Sequence, residues 1–191
     1  MKIKGLGVNT EVDREADDFY STDPNALRIF IEQLKRDGIE INKKVWEPSC
    51  GQGHLSKVLA EHCNIVKSTY LIYRGFGSTT PVDFLESYSQ WDGDILTNPP
   101  FKLAEDFVRK GMELLMEGNR LYLFLKIQFL EGKARHELFK QYPPKWVYVN
   151  SSRQSCYKDG DMSIKGNTTL CMCWFVFEKG WQGETILKWI R

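Results

Sequence analysis

The stretch Asp94-Ile95-Leu96-Thr97-Asn98-Pro99-Pro100-Phe101 holds residue types that can handle an amine. Its apolar run predicts a buried strand, and the two prolines stop it because neither can donate a ladder hydrogen bond. A residue before proline is held extended, so Asn98 and Pro99 continue stiffly past the strand end. Open α/β sheets bind ligands at the carboxyl ends of their strands. The chemistry that suits this corner is methylation of an exocyclic amino group. An aryl amine is a poor nucleophile because its lone pair is conjugated with the ring. Two acceptors aimed at its hydrogens draw the nitrogen towards a tetrahedral form and free that pair. The Asn98 side-chain carbonyl and the Pro99 main-chain carbonyl are the candidate acceptors. Phe101 can stack on a planar base, worth roughly 1–3 kcal/mol. No general base is needed first, since the product cation sheds its proton readily. The plainer reading of these residues is a strand ending in a proline turn with a core Phe.

Other elements must position this corner and bring it a second reactant. Val45-Trp46 opens a short strand, Glu47-Pro48-Ser49-Cys50-Gly51-Gln52-Gly53 follows as a loop, and Leu55, Val58 and Leu59 mark the next helix. Glycines let a backbone approach a ligand closely, and a helix start favours negative charge. Glu47, at the strand end, can take a ligand ammonium or hydroxyl. Upstream, Asp23 and Pro24 suit the cap and first position of a helix whose face is Leu27, Phe30, Ile31 and Leu34, closed by Gly38. Phe19 and Tyr20 are either a hydrophobic clamp at that helix entrance or a ligand contact.

A second strand is expected between Asn64 and Tyr73, including Tyr70-Leu71-Ile72. In dinucleotide-type folds its tip carries an acid about 20 residues past the glycines, which holds ribose hydroxyls. The tip here is Tyr70, and no acid lies between Glu61 and Asp83. Arg74-Gly75-Phe76-Gly77 is expected to be a flexible loop. Asp83-Phe84-Leu85 is either a helix start or a carboxylate and ring placed near an adenine moiety. A helical stripe then runs from Leu103 to Leu115. Leu121 to Ile127 is a strand, Glu131 to Tyr142 a helix stopped by Pro143-Pro144, and Trp146 to Val149 a strand. Ser151 to Asn167 is a polar loop, Thr168 to Phe177 a long strand, and Thr185 to Ile190 a last short one. Alternation early and strand after strand late predict a mostly parallel sheet with an antiparallel C-terminal edge.

The chain of 191 residues is most simply one domain, preceded by a polar arm over 1–18. No apolar run is long enough to span a bilayer, so no membrane role is expected, and the start lacks a signal-peptide core. Cys50, Cys63, Cys156, Cys171 and Cys173 show no C-x-x-C spacing, which points to a reducing cytoplasm and away from a zinc site. The net charge of +1 is not that of a strong nonspecific DNA binder. Basic residues nevertheless crowd the second half, as a solvated surface or a binding face.

Together these segments resemble the phage and prophage type of adenine-specific DNA methyltransferase. The likeness runs from about Asp17 to the C-terminus. Asp18-Phe19-Tyr20-Ser21-Thr22-Asp23-Pro24 looks like the segment that contacts the methionine end of S-adenosylmethionine. Trp46 to Ser56 is similar to the glycine-loop motif, Asp83-Phe84-Leu85 to the acidic motif near the cofactor adenine, and Asn98-Pro99-Pro100-Phe101 to the catalytic motif. Phe129-Leu130-Glu131-Gly132, Pro143-Pro144 and Trp174 to Gly180 also look like family segments. The resemblance implies a Rossmann-like methyltransferase fold, a seven-stranded sheet with helices on both faces, and S-adenosylmethionine as cofactor. It implies Tyr20, Thr22, Glu47, Ser49, Gly51, Gly53, Tyr70, Asp83 and Phe84 as cofactor residues, and DNA as substrate. Two departures stand out. Thr69-Tyr70-Leu71-Ile72-Tyr73-Arg74-Gly75 has tyrosines where such enzymes carry acids, which also leaves open a degenerate fold that only binds nucleic acid or protein. Only Gly51 to Asp94 separates the two main motifs, too little for a separate target-recognition domain. Corners of this kind also serve methylation of RNA amines and of protein glutamine amides.

Overall fold

A computed structural model describes residues 20–151, 156–158 and 171–191. The arm expected over 1–18 and most of the polar loop over 151–167 lie outside the described residues. In chain order the elements are β1 (Tyr20–Thr22), α1 (Pro24–Arg36), β2 (Lys44–Glu47), α2 (His54–Leu59), β3 (Ile65–Ser68), β4 (Asp94–Thr97), α3 (Ala104–Leu114), β5 (Arg120–Lys126), α4 (Lys133–Gln141), β6 (Trp146–Asn150), β7 (Cys156–Lys158), β8 (Met172–Glu178) and β9 (Ile186–Ile190).

Seven strands form one sheet in the order β3-β2-β4-β5-β8-β6-β9. β2 is parallel to β3 and β4, and β4 is parallel to β5. The expected antiparallel strand is β8, which sits between β5 and β6 on the C-terminal side of the sheet. β9 then closes that side, parallel to β6. The strand-strand ending in the sequence therefore resolves into one reversed strand and one edge strand.

The central strands are buried on both faces, so their side chains alternate between two apolar layers rather than between core and water. Tyr122, Phe124 and Trp174 face α1 and α2, whereas Leu121, Leu123 and Phe175 face α3 and α4. Phe30 of α1 anchors the first layer. Its ring stacks on Trp174 at 4.7 Å and meets Tyr148 edge-on at 5.3 Å. α1 begins as its sequence predicts: Asp23 accepts the Asn25 N–H at 2.8 Å and Pro24 is the first helical residue. Loss of that cap in Asp23→Ala should lower unfolding free energy by about 1 kcal/mol, read as a reduced urea midpoint with an unchanged slope.

Two expectations need correction. Tyr70-Leu71-Ile72 is not part of a strand: β3 ends at Ser68, and Leu71 and Ile72 are exposed. Among the described residues β3 is an edge strand with β2 as its one neighbour, and β2 stops at Glu47, so the ladder ends there. Residues 156–158, expected within a polar loop, form β7, which pairs antiparallel with β1. That pairing joins chain segments more than a hundred residues apart and lies beyond any local signal.

The topology places a crevice. From β2 the chain passes through α2 to β3 on one side, then crosses back to β4 on the other. Connections thus leave β2 and β4 in opposite directions, which opens a gap above their carboxyl ends. Glu47 ends β2, and Asn98 follows β4 directly. Among the described residues no helix is long and apolar enough to cross a membrane, and no group of three His, Cys, Asp or Glu could hold a metal ion.

Candidate active site

β4 delivers the amine-handling corner to the crevice. All four of its residues are buried, which fixes the strand end firmly. Beyond it, the Asn98 side-chain Nδ2 donates to Thr22 Oγ1 at 2.9 Å. Thr22 lies in β1 and is itself buried. With its NH₂ committed to Thr22, the Asn98 amide turns its carbonyl Oδ1 to the opposite side. The Pro100 carbonyl accepts the Leu103 N–H at 2.9 Å and starts a short 3-10 turn over Phe101–Leu103. Of the two proline carbonyls, that of Pro99 is the one left without a donor among the described residues. Oδ1 of Asn98 and O of Pro99 are therefore the acceptors this corner can offer. Phe101 closes it, with Lys126 Nζ 4.2 Å from the ring centroid.

Opposite stands Glu47, 2% exposed. Its carboxyl accepts a hydrogen bond from Ser56 Oγ, and Ser56 Oγ lies 2.6 Å from Ser68 Oγ. No cation pairs with it among the described residues. Burial pushes its pKa up to about 8, against the smaller opposing effect of Ser56. Burial thus favours the neutral form of this acid. Gly51 and Gly53 both adopt left-handed conformations, with φ of 51° and 79°. At Gly53 an added Cβ would also lie 2.3 Å from the Phe76 ring. These glycines shape the turn, while their neighbours Ser49, Cys50, Gln52 and His54 line the cleft. The Cys50 thiol is pushed up to about 12, chiefly by burial and then by Glu47, which favours its protonated form. His54 Nδ1 meets Ser21 Oγ, and burial lowers its pKa, with Lys57 adding to the effect. The 74–77 loop, expected to be flexible, packs inward: Phe76 against Gly53, and Gly77 beneath the Ser68 carbonyl.

Two adjoining cavities run along the strand ends. The first lies between Ser21, Thr22, Glu47, Ser49 and Asn98 and is polar. The second, of about 260 Å³, is largely apolar, with Leu71, Val82, Phe84, Leu85 and Phe107 in its wall and Asp83 and Lys102 at its polar positions. Ser49, Tyr70 and Pro100 border both. Asp83 caps no helix: its Oδ1 accepts the Leu85 N–H at 2.9 Å in a local turn, and it stays exposed. Phe84 is buried against Trp46 and Phe107.

No family model and no curated protein matches the sequence. Solved structures do match the fold. A proposed RNA methyltransferase of Pyrococcus horikoshii aligns with a TM-score of 0.63 at 16% identity, over 85% of this chain and 87% of that one. A proposed class I S-adenosylmethionine-dependent methyltransferase of Listeria monocytogenes gives 0.58 at 10% identity, over 87% and 63%. The magnesium protoporphyrin IX methyltransferase of Synechocystis, solved with S-adenosylmethionine bound, gives 0.53 at 13%, over 82% and 79%. This chain has the class I methyltransferase fold. At these identities the likeness reaches the fold and no further, so the site rests on its own residues.

Within this methyltransferase fold the structure gathers most of the residues the sequence singled out. Thr22, Glu47, Ser49, Tyr70, Asn98, Pro99, Pro100 and Phe101 share the first cavity, and Asp83 and Phe84 the second. Gly51 and Gly53 border neither. Tyr20 lies in β1, and its side chain falls outside the described residues. Of the two tyrosines that depart from the family pattern, Tyr70 borders both cavities and Tyr73 neither. Sequence reading missed Ser21, His54 and Lys102. Ser21 and His54 were within reach, since each neighbours a residue already singled out. Lys102 carried no signal beyond its charge.

Proposed function

We propose that this chain transfers a methyl group from S-adenosylmethionine to the N6 amino group of adenine in DNA, as the phage-type enzymes it resembles do. The reading is carried by the Asn98–Thr22 hydrogen bond, which occupies the Asn98 NH₂ and leaves its carbonyl to act as the acceptor, in the cavity that Pro99 also lines. When bound, S-adenosylmethionine supplies an electrophilic methyl on a sulfonium. The fit of the cleft to it is good. A polar cavity with a buried acid suits its amino-acid end, and an adjoining apolar cavity suits its adenine. Ser49 and Tyr70, which border both, are assigned to the ribose in this reading. Asn98 and Pro99 orient the target amine by accepting its two N–H groups. Phe101 packs on the face of the target base, which must leave its duplex stack to arrive there. The decisive assay follows radiolabelled methyl transfer to DNA, RNA and protein in parallel. Label on adenine N6 of DNA supports the reading; label only on RNA or on glutamine amides replaces its substrate.

A second reading has one observation in its favour. In the family this chain resembles, a carboxylate at the position of Tyr70 takes two ribose hydroxyls, and Tyr70 borders both cavities. On that reading the fold binds a macromolecule without methylating it. Tyr70→Asp separates the two. Regaining a bidentate charged acceptor should tighten S-adenosylmethionine binding about tenfold or more by calorimetry. A wild-type protein that binds no cofactor and a variant that does would establish the degenerate fold.

A further inference from the structure

A smaller cavity of about 120 Å³ lies on the far side of the amine corner, at the carboxyl end of β5. Phe101 borders it as well as the first cavity. Its floor is apolar: Phe101, Ala104, Leu125 and the nearly buried Phe129. Its polar positions are two cations and an amide: Lys126, Arg135 and Gln128. The cations differ in kind. Arg135 is committed to structure: its Nη1 donates to the carbonyls of Gln128 and Glu131, and its guanidinium lies 5.2 Å from the Phe129 ring centroid. It fastens the 3-10 turn over Ile127–Leu130 that carries Phe129. Lys126 has no carboxylate partner among the described residues. Its ammonium rests over the Phe101 ring, half-buried at the last position of β5.

An ammonium resting on a ring, beside an aromatic floor, is the lining that receives a flat ring carrying an anion. We infer that this cavity is a subsite for the nucleotide adjoining the target in the same strand, with its phosphate on Lys126 and its base against the Phe101–Phe129 floor. The inference rests on the amine-handling role of Asn98 to Phe101 and adds the form of the substrate. That substrate is an unstacked nucleic-acid strand of at least two nucleotides rather than a free nucleoside or a protein amide. It also assigns Lys126 two consecutive tasks. Its ammonium covers one face of Phe101, and with substrate it moves to the phosphate.

The test uses full-length protein and fluorescein-labelled single-stranded oligonucleotides of DNA and of RNA, with anisotropy followed across salt concentrations. Lys126→Ala should bind about tenfold more weakly and lower the salt slope by about 0.7, the value of one phosphate contact on a single strand. Lys126→Arg should restore both. Calorimetric affinity for S-adenosylmethionine should not change in either variant. A preference for the DNA or the RNA probe identifies the strand. Unchanged oligonucleotide affinity and slope in Lys126→Ala, or no oligonucleotide binding by the wild type, would overturn the subsite. If the wild type methylates DNA while Lys126→Ala keeps its KM and slope, the subsite fails and the enzyme stands. If no methyl is transferred but oligonucleotide binding depends on Lys126, the subsite stands and the enzyme reading fails.

Discussion

Asn98→Ala should lower kcat for methyl transfer by about 10²–10³-fold, the size of effect seen when one preorganised hydrogen-bonding group at a reacting centre is removed. Affinity for S-adenosylmethionine should stay nearly the same, because Asn98 acts on the amine and not on the cofactor. The fold should survive, since the residue stands after the last pair of β4 and its side chain donates to Thr22 in β1, outside the seven-stranded sheet. Asn98→Asp provides the sharper comparison. An aspartate keeps an acceptor in place and can accept in turn from the Thr22 hydroxyl, so the variant should retain far more activity than alanine. Single-turnover rates with saturating cofactor would measure both. Full activity in Asn98→Ala would remove the acceptor pair from the chemistry altogether.

The second large effect concerns Glu47 and pH. Its folded pKa of about 8 lies above the ordinary glutamate value of 4.5. A raised folded pKa stabilises the fold below the unfolded value, and that contribution is lost as pH rises through the folded value. The ligand-free protein should therefore lose on the order of 4 kcal/mol from this group between about pH 4.5 and pH 8. Glu47→Gln removes the dependence, so the variant should be the more stable protein at pH 9 and differ little at pH 4. Cofactor binding should show the opposite preference. A ligand ammonium beside Glu47 favours its charged form, so binding expels a proton. Affinity should rise about tenfold per pH unit towards pH 8 and then level. Calorimetry at pH 7 in buffers of different ionisation enthalpy should register release of close to one proton. In Glu47→Gln the release should vanish and affinity at pH 8.5 should fall, because the neutral amide cannot pair with the ammonium. A wild-type affinity that ignores pH between 6 and 8 would place Glu47 outside the cofactor's reach. Stability and binding thus pull against each other at one buried acid.

What the sequence determined by itself was local. Asp23-Pro24 fixed the start of α1, because capping and the proline φ depend on neighbours only. Asn98-Pro99-Pro100 fixed the end of β4, because proline removes a donor wherever it sits. Alternation of strands and helices fixed an α/β sheet, and chain order placed Glu47 and Asn98 at strand ends. Tertiary structure decided what depends on distant partners. β1 and β7 exist only because they pair with each other, and Tyr70 to Ile72 stay outside β3 because β2 ends first. The direction of the Asn98 amide depends on Thr22, which lies 76 residues earlier in the chain. Tyr70 and Tyr73 look equivalent in the sequence, yet only the first borders the cavities, since the chain turns between them after leaving the sheet. The protonation of Glu47 is likewise non-local: its neighbours in sequence do not bury it, but the packing of α2 and β3 against β2 does. Residue type sets which chemistry is possible at a position. Burial and the orientation of partners, which only the folded chain provides, decide which of those possibilities the position can use.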